Sequence, residues 1–337
     1  MGGTGMTGRS IARRWAMTAA AGLTALGLLG TGLAGTAQAA YPGRDGRIAF
    51  VRDGNIYTIS SGGSGLTRLT SGGHHKGPRW SPNGKRIAYL NRGNLWVMNA
   101  GGGHKRRLTD AAPTYTDARP SWSPNGRYLA FVRTRARHAY GYLVRYDTHT
   151  GHIVTFSTPY NSEQPTTRQI PVAALPDPIA WTWTPDGSTN GSFILFEGGQ
   201  VGHFCQAGWY CLDAYGRPHQ YMYRNGFLSA EDQTQSPVRL TDPDWFPDDP
   251  QFDIQAMTTQ ENCVASNPCT PSGIDLQITE SPIVPGAYQA VFSPVGRQIA
   301  YVLNERGGPE IFIGNNDVRP LGRMLTAGTQ PDWQPLT

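Results

Sequence analysis

The stretch Pro78-Arg79-Trp80-Ser81-Pro82-Asn83-Gly84 returns 42 residues later as Pro120-Ser121-Trp122-Ser123-Pro124-Asn125-Gly126. Weaker copies stand at Trp183-Thr184-Pro185-Asp186-Gly187 and Phe292-Ser293-Pro294-Val295-Gly296. Degenerate ones stand at Trp245-Phe246-Pro247-Asp248 and Pro331-Asp332-Trp333-Gln334-Pro335. In each clear copy Pro presets φ, while Asn or Asp and Gly accept left-handed angles, so the motif reads as a tight turn. Short apolar runs follow, at residues 86–91, 128–133, 193–198, 252–257 and 298–303, and the motif is therefore the first hairpin of a repeat. A third strand is expected at Asn94-Leu95-Trp96-Val97-Met98 and at Glu310-Ile311-Phe312-Ile313. A fourth is expected to end in Leu-Thr, as at Arg107-Leu108-Thr109, Arg239-Leu240-Thr241 and Met324-Leu325-Thr326. Four short strands at a period near 40 residues specify an all-β propeller blade rather than a helical repeat.

The two ends of the chain are complementary. Residues 46–70 supply only the later strands of a blade, and the segment around Trp333 supplies only a first strand. Joining them completes a blade and removes the sheet edges that invite aggregation. Motifs at 80, 122, 183, 245, 292 and 333 make six blades of four antiparallel strands, with the ring closed by the C-terminal strand. The copy around Trp245 is the weakest, and five blades with a long insertion is the alternative. Trp80, Trp122 and Trp183 recur at equivalent positions and are assigned to the core between blades.

These residues carry a resemblance. Trp-Ser-Pro-Asn-Gly, Arg86-Ile87-Ala88-Tyr89 and Arg107-Leu108-Thr109 resemble the TolB-type β-propeller repeat, over essentially all of residues 40–337. The resemblance implies a six-bladed propeller that binds partners through its faces or central channel. It leaves no room for the α/β domain that precedes the propeller in TolB, because about six residues separate Ala39 from the first strand.

The N-terminus carries Arg9, Arg13 and Arg14, an apolar Gly/Ala/Leu stretch, and Ala37-Gln38-Ala39. That is the layout of a secretory signal peptide over residues 1–39. Arg13-Arg14 leaves the general secretory and twin-arginine routes both open. The remaining chain, residues 40–337, reads as one extracytoplasmic domain with insertions at about 158–177, 199–236 and 258–272, and no membrane span after cleavage. It has 26 basic and 24 acidic side chains and is nearly neutral, which argues against nucleic acid as a partner. Cys205 and Cys211, and Cys263 and Cys269, share one spacing. In an exported chain two local disulfides are expected, with a four-thiolate zinc site as the competitor.

No Gly-x-Ser-x-Gly elbow, His-Glu-x-x-His, Walker A or EF-hand loop occurs. No catalytic residue, cofactor or metal site is assigned. His74-His75 and His149-x-x-His152 read as exposed inter-strand histidines. Asp242, Asp244, Asp248, Asp249 and Asp253 form an acidic cluster with calcium-type chemistry but no defined loop spacing.

Charge is unevenly distributed. Residues 76–145 hold fourteen Lys/Arg against two acids, and residues 177–280 hold fourteen acids against three Lys/Arg. A ring of blades would therefore have a basic and an acidic sector, suited to docking a charged partner. Arg133, Arg135 and Arg137 are placed at a freely projecting hairpin tip. Trp209, Tyr210, Tyr215, Tyr221 and Tyr223 are placed on a disulfide-pinned excursion, where rigid aromatics offer large contact area. These residues are the expected partner surface. The reading is a monomeric, non-catalytic binding or scaffold protein for a protein or an anionic cell-envelope polymer. The alternative is a propeller lyase or hydrolase acting on a glycan in the central channel.

Overall fold

The computed structural model describes residues 43–123, 125–136, 140–155, 284–305, 307–315 and 322–337, and between 157 and 276 the strands named below. The described residues contain no helix, and none of them forms a helix long and apolar enough to cross a membrane. Their strands make six antiparallel sheets of four or five strands and one two-stranded ribbon.

The first sheet runs Thr329–Leu336, Arg44–Arg52, Asn55–Ser60, Thr67–Arg68. The second runs His75–Trp80, Arg86–Asn91, Asn94–Asn99, Arg106–Arg107. The third runs Tyr115–Trp122, Tyr128–Arg135, Tyr140–Asp147, Ile153–Thr155, with Pro171–Ala173 also on Tyr140–Asp147. The fourth is Thr182–Trp183, Ile194–Glu197, Gln220–Arg224, Phe227–Ala230, and the fifth Arg239–Trp245, Gln255–Glu261, Thr270–Leu276, Val284–Pro285. The sixth is Tyr288–Phe292, Gln298–Glu305, Gly308–Asn315, Arg323–Ala327; Ser157–Asn161 and Gln164–Gln169 form the ribbon.

The C-terminal strand pairs with the N-terminal one as expected, Ile48 opposite Trp333 and Ala49 opposite Asp332. The first strand of every sheet lies against the first strand of the next, and that of the sixth returns to that of the first. The segment around Trp245 forms a four-stranded sheet of its own, as counted from its motif. Two details differ from the sequence reading. Arg239-Leu240-Thr241 opens the first strand of that sheet rather than closing the preceding blade. Leu69-Thr70 and Leu108-Thr109 lie just beyond their outer strands, where each Thr hydroxyl accepts a backbone N–H from the third strand: Ile56 to Thr70 at 2.8 Å, Leu95 to Thr109 at 2.9 Å.

The repeated turn is built by its own side chains. Asn83 Oδ1 accepts from the Ser81 hydroxyl (2.8 Å) and the Lys85 N–H (3.1 Å), and Ser81 Oγ accepts from the Arg86 N–H (3.0 Å). Ser123 and Asn125 repeat the arrangement at 2.7–3.0 Å. In the sixth sheet Val295 replaces the Asn. Only the Ser293 half survives, with Gln298 N–H at 3.2 Å, and the Val295 N–H turns to Asp45 Oδ1 at 3.0 Å. The second hairpins close on Asp53-Gly54 and Arg92-Gly93, all four at positive φ (48° to 73°), the turn whose twist matches paired strands.

The core lies between sheets. Trp80 and Trp122 are buried as assigned, Trp333 is buried as well, and Trp122 Nε1 donates to the Arg79 carbonyl of the preceding sheet at 3.1 Å. Arg86 stacks its guanidinium 4.6 Å from the Trp122 ring, a second tie across the same joint. Strand alternation puts Ile48, Phe50, Trp333, Val302 and Ile311 into one cluster, and Ile56, Trp80, Ile87 and Tyr89 into another. The side chain of Trp183 lies outside the described residues.

Candidate functional site

Arg133 does not project from a hairpin tip. It is the sixth residue of a strand ending at Arg135, and its side chain turns inward onto Asp117, which is fully buried. Nε meets Asp117 Oδ1 at 2.7 Å and Nη2 meets Oδ2 at 3.0 Å, while the Thr109 hydroxyl donates to Oδ2 at 2.6 Å. A carboxylate taken out of water needs a cation and hydrogen bonds, and Arg133 is that cation. Arg135 is exposed, two residues on along the same strand, and Arg137 lies outside the described residues.

Tyr221 and Tyr223 do not lie on a free excursion. They belong to Gln220–Arg224, which is hydrogen-bonded on both sides, to Ile194–Glu197 and to Phe227–Ala230, so the ladder claims part of the segment assigned to an insertion. Trp209, Tyr210 and Tyr215, the four cysteines, and Asp248, Asp249 and Asp253 lie outside the described residues. Asp244 accepts the Phe292 N–H at 2.7 Å, a tie from the fifth sheet to the sixth. His75 is buried at the start of its strand, not exposed between strands; His74 and His149 are exposed. The described residues contain no group of three or more His, Cys, Asp or Glu placed to hold a metal.

The second and third sheets present the basic surface. Lys76, Lys85, Arg92, Lys105, Arg106 and Arg135 are exposed, at the ends and outer edge of these sheets. The two acids of the stretch do not offset them. Asp117 is consumed by Arg133, and Asp110 pairs with Arg107 at 3.0 Å on the surface. At the end that carries the repeated turns, a groove of about 680 Å³ is lined by Lys85, Arg86, Asn83, Asn99 and Gln334. At the edge of the third sheet Asp147 takes Arg127 at 2.8 Å and the N–H groups of His149 and Thr150, and the Arg127 hydrogen bond holds its carboxyl at about 2.

The first strands carry a polar girdle that the sequence reading missed. Three residues before Phe292, Trp333 and Trp80 stand Gln289, Gln330 and Gly77, at φ of 53°, 55° and 55°. Each occupies a bulge where the strand slips register against its partner. Left-handed backbone costs a non-glycine residue about 1–2 kcal/mol, and here the side chains are used to join sheets. Gln289 Oε1 accepts the Gln330 N–H at 2.9 Å, and Gln330 Oε1 accepts the Gly77 N–H at 2.8 Å. Two residues further on, Asp332 accepts the Trp80 N–H at 2.5 Å and meets Arg79 at 3.3 Å. Burial pushes its carboxyl up to about 6 against the pull of both partners. The Gln that stands three positions before both Phe292 and Trp333 was the available clue.

Comparison with solved structures recovers this architecture. TolB from Acinetobacter baumannii superposes with a TM-score of 0.57 at 16% identity, over 86% of this chain and 67% of that one. The fold is that of the TolB-type β-propellers. A putative TolB from Agrobacterium tumefaciens matches at a TM-score of 0.50 and 14% identity, over 85% of this chain and 90% of that one. A chain of Kuenenia stuttgartiensis hydrazine synthase matches at 0.56 and 15%, over 91% and 49%. No family model matches the sequence, and no curated protein matches it. At these identities the likeness is one of fold, and the site has to be argued from its own residues.

Proposed function

We propose that the chain is an extracytoplasmic, six-bladed propeller whose role is to bind an acidic protein or an anionic cell-envelope polymer, without turning it over. The cycle of first-strand contacts and the shared N- and C-terminal sheet support six blades in one closed ring. Ala37-Gln38-Ala39 after an apolar stretch supports export. The observation that carries the binding role is the exposed set Lys76, Lys85, Arg92, Lys105, Arg106 and Arg135 on two adjacent sheets whose own acids are already paired. Such a surface accelerates encounter with an anionic partner and orients it. Of the first-strand carboxylates, Asp244 and Asp332 each clasp a neighbouring sheet's backbone N–H and Asp117 is held by Arg133 and Thr109, which supports a scaffold rather than an acid–base pair.

The test is capture from envelope extract containing proteins and soluble glycans, at low and high salt, with the purified protein and with Lys76→Glu/Arg106→Glu/Arg135→Glu. All three positions are exposed, so the variant keeps the fold. A partner retained at low salt, released at high salt and lost in the variant is the expected result. A glycan that is retained and then shortened would replace this reading with the enzyme.

A further inference from the structure

The second sheet leaves open a niche that its neighbours fill. In the first hairpins of the first, second, third and sixth sheets, the residue five positions before the inner aromatic faces the last inward residue of the second strand. In the third sheet these are Asp117 and Arg133, bonded as above. In the first sheet the second-strand residue is Arg52. It donates to the Ala327 carbonyl (2.9 Å) and the Thr326 hydroxyl, and lies 5.4 Å from the rings of Phe50 and Tyr57. In the sixth sheet Ala287 and Leu303 occupy these positions and pack in one apolar cluster. An ion pair, a folded-back guanidinium and an apolar contact thus each close the same place.

In the second sheet the two residues are His75 and Asn91. Asn91 is too short to fill the niche, and a cavity of about 310 Å³ remains, lined by His74, His75, Arg92, Trp96 and Arg107 among others. His75 is 7% exposed, and its Nδ1 has no hydrogen-bond partner; the buried Trp96 Nε1 has none either. Buried polar atoms without partners cost about 1–3 kcal/mol each; both of these belong to residues of the cavity wall and carry almost no exposed surface, as the Trp80 and Trp333 indole nitrogens do elsewhere. The lining residues include two guanidinium groups and no carboxylate. Arg107 also holds Asp110 at 3.0 Å, an exposed pair that is weak and readily exchanged.

We propose that this cavity binds the oxyanion, carboxylate or phosphate, of a monosaccharide-sized ligand, with Arg92 and Arg107 supplying the charge and His75 and Trp96 standing in the wall that shapes it. Guanidinium forks suit both oxyanions. The volume sits at the lower end of the range of about 300–1,000 Å³ that small-molecule sites occupy, which sets the ligand size. Burial pushes the His75 imidazole below its ordinary value, so it stands in the wall as a neutral group and the charge comes from the arginines. The inference is independent of the scaffold reading, since it concerns a small ligand.

Titration calorimetry of the purified protein with glucuronate, glucose 6-phosphate and neutral glucose tests it. One of the two anions is expected to bind at least about tenfold tighter than glucose, and which one identifies the source of the oxyanion. His75→Asp/Asn91→Arg rebuilds the Asp117–Arg133 pair in the open niche, and should abolish binding without lowering Tm. Arg92→Ala, at an exposed turn, should weaken binding by about tenfold or more with Tm unchanged, and serves if the double variant does not fold. No heat with either anion, glucose binding as well as both, or undiminished binding in the variants would overturn the proposal.

Discussion

Arg133→Ala isolates what the buried pair does. Asp117 is fully buried, and its two oxygens are held by Arg133 at 2.7 and 3.0 Å and by the Thr109 hydroxyl at 2.6 Å. Without the guanidinium, the carboxylate keeps one neutral donor and loses its only cation among the described residues. Breaking such a pair from one side costs about 3–5 kcal/mol, or about 6–20 °C in Tm for a domain of this size. The loss of stacking on Phe131, 5.4 Å away, acts in the same direction. Arg135→Ala, exposed on the same strand, is expected to change stability by no more than about 0.5 kcal/mol. The sixth sheet supplies a further control, because Ala287 and Leu303 stand where Asp117 and Arg133 do. Asp117→Ala/Arg133→Leu should therefore recover most of the loss, since no charge is left unpaired. Urea unfolding followed by tryptophan fluorescence, with the slope m compared across variants, measures all four proteins. A loss below about 1 kcal/mol for Arg133→Ala, or a double variant no better than the single one, would refute the assignment of Arg133 as a structural counter-ion.

Three other outcomes follow from the joints between sheets. Asp332 titrates near 6 when folded against 3.8 as a free carboxylate, so the folded state binds the proton more tightly and stability should fall as pH rises between about 4 and 6. Asp332→Asn should flatten that slope in thermal melts taken at pH 4.5 and 7, and an unchanged slope would show that another group carries it. Trp122→Ala removes a ring that is 1% exposed and a bond to the Arg79 carbonyl, and should cost about 3–5 kcal/mol in the same unfolding assay. Val295→Asn restores the missing half of the repeated turn at an exposed site and should stabilise by about 0.5–1 kcal/mol; a decrease would mean the Asp45 contact governs that turn instead.

Much of the fold was legible in the chain. A turn that hydrogen-bonds to itself, as Ser81-Pro82-Asn83-Gly84 does, is a local object, and its spacing reports the repeat directly. The complementarity of residues 46–70 and the Trp333 segment was legible for a related reason, because a strand lacking a partner at one end of a repeat chain requires one at the other. The sheet around Trp245 was harder to read, since its Leu240-Thr241 mimics a closing strand and only pairing with Gln255–Glu261 shows that it opens one.

The site was less legible. Arg133 and Arg135 are two residues apart in a basic run, and both look like surface charge until the period-two alternation of a strand meets a buried carboxylate sixteen residues earlier. Gln289 and Gln330 show nothing in isolation, because their role depends on a bulge and on the backbone of the next sheet. The open niche beside His75 follows from a side chain that is too short, and is visible only against the neighbours that fill it. The sequence by itself determined the blade, its turn and its repetition, since those are set by contacts within some forty residues. Which charges face solvent, which are spent between sheets and where a cavity is left were decided by the tertiary structure, because each depends on residues that meet only when one sheet packs against the next.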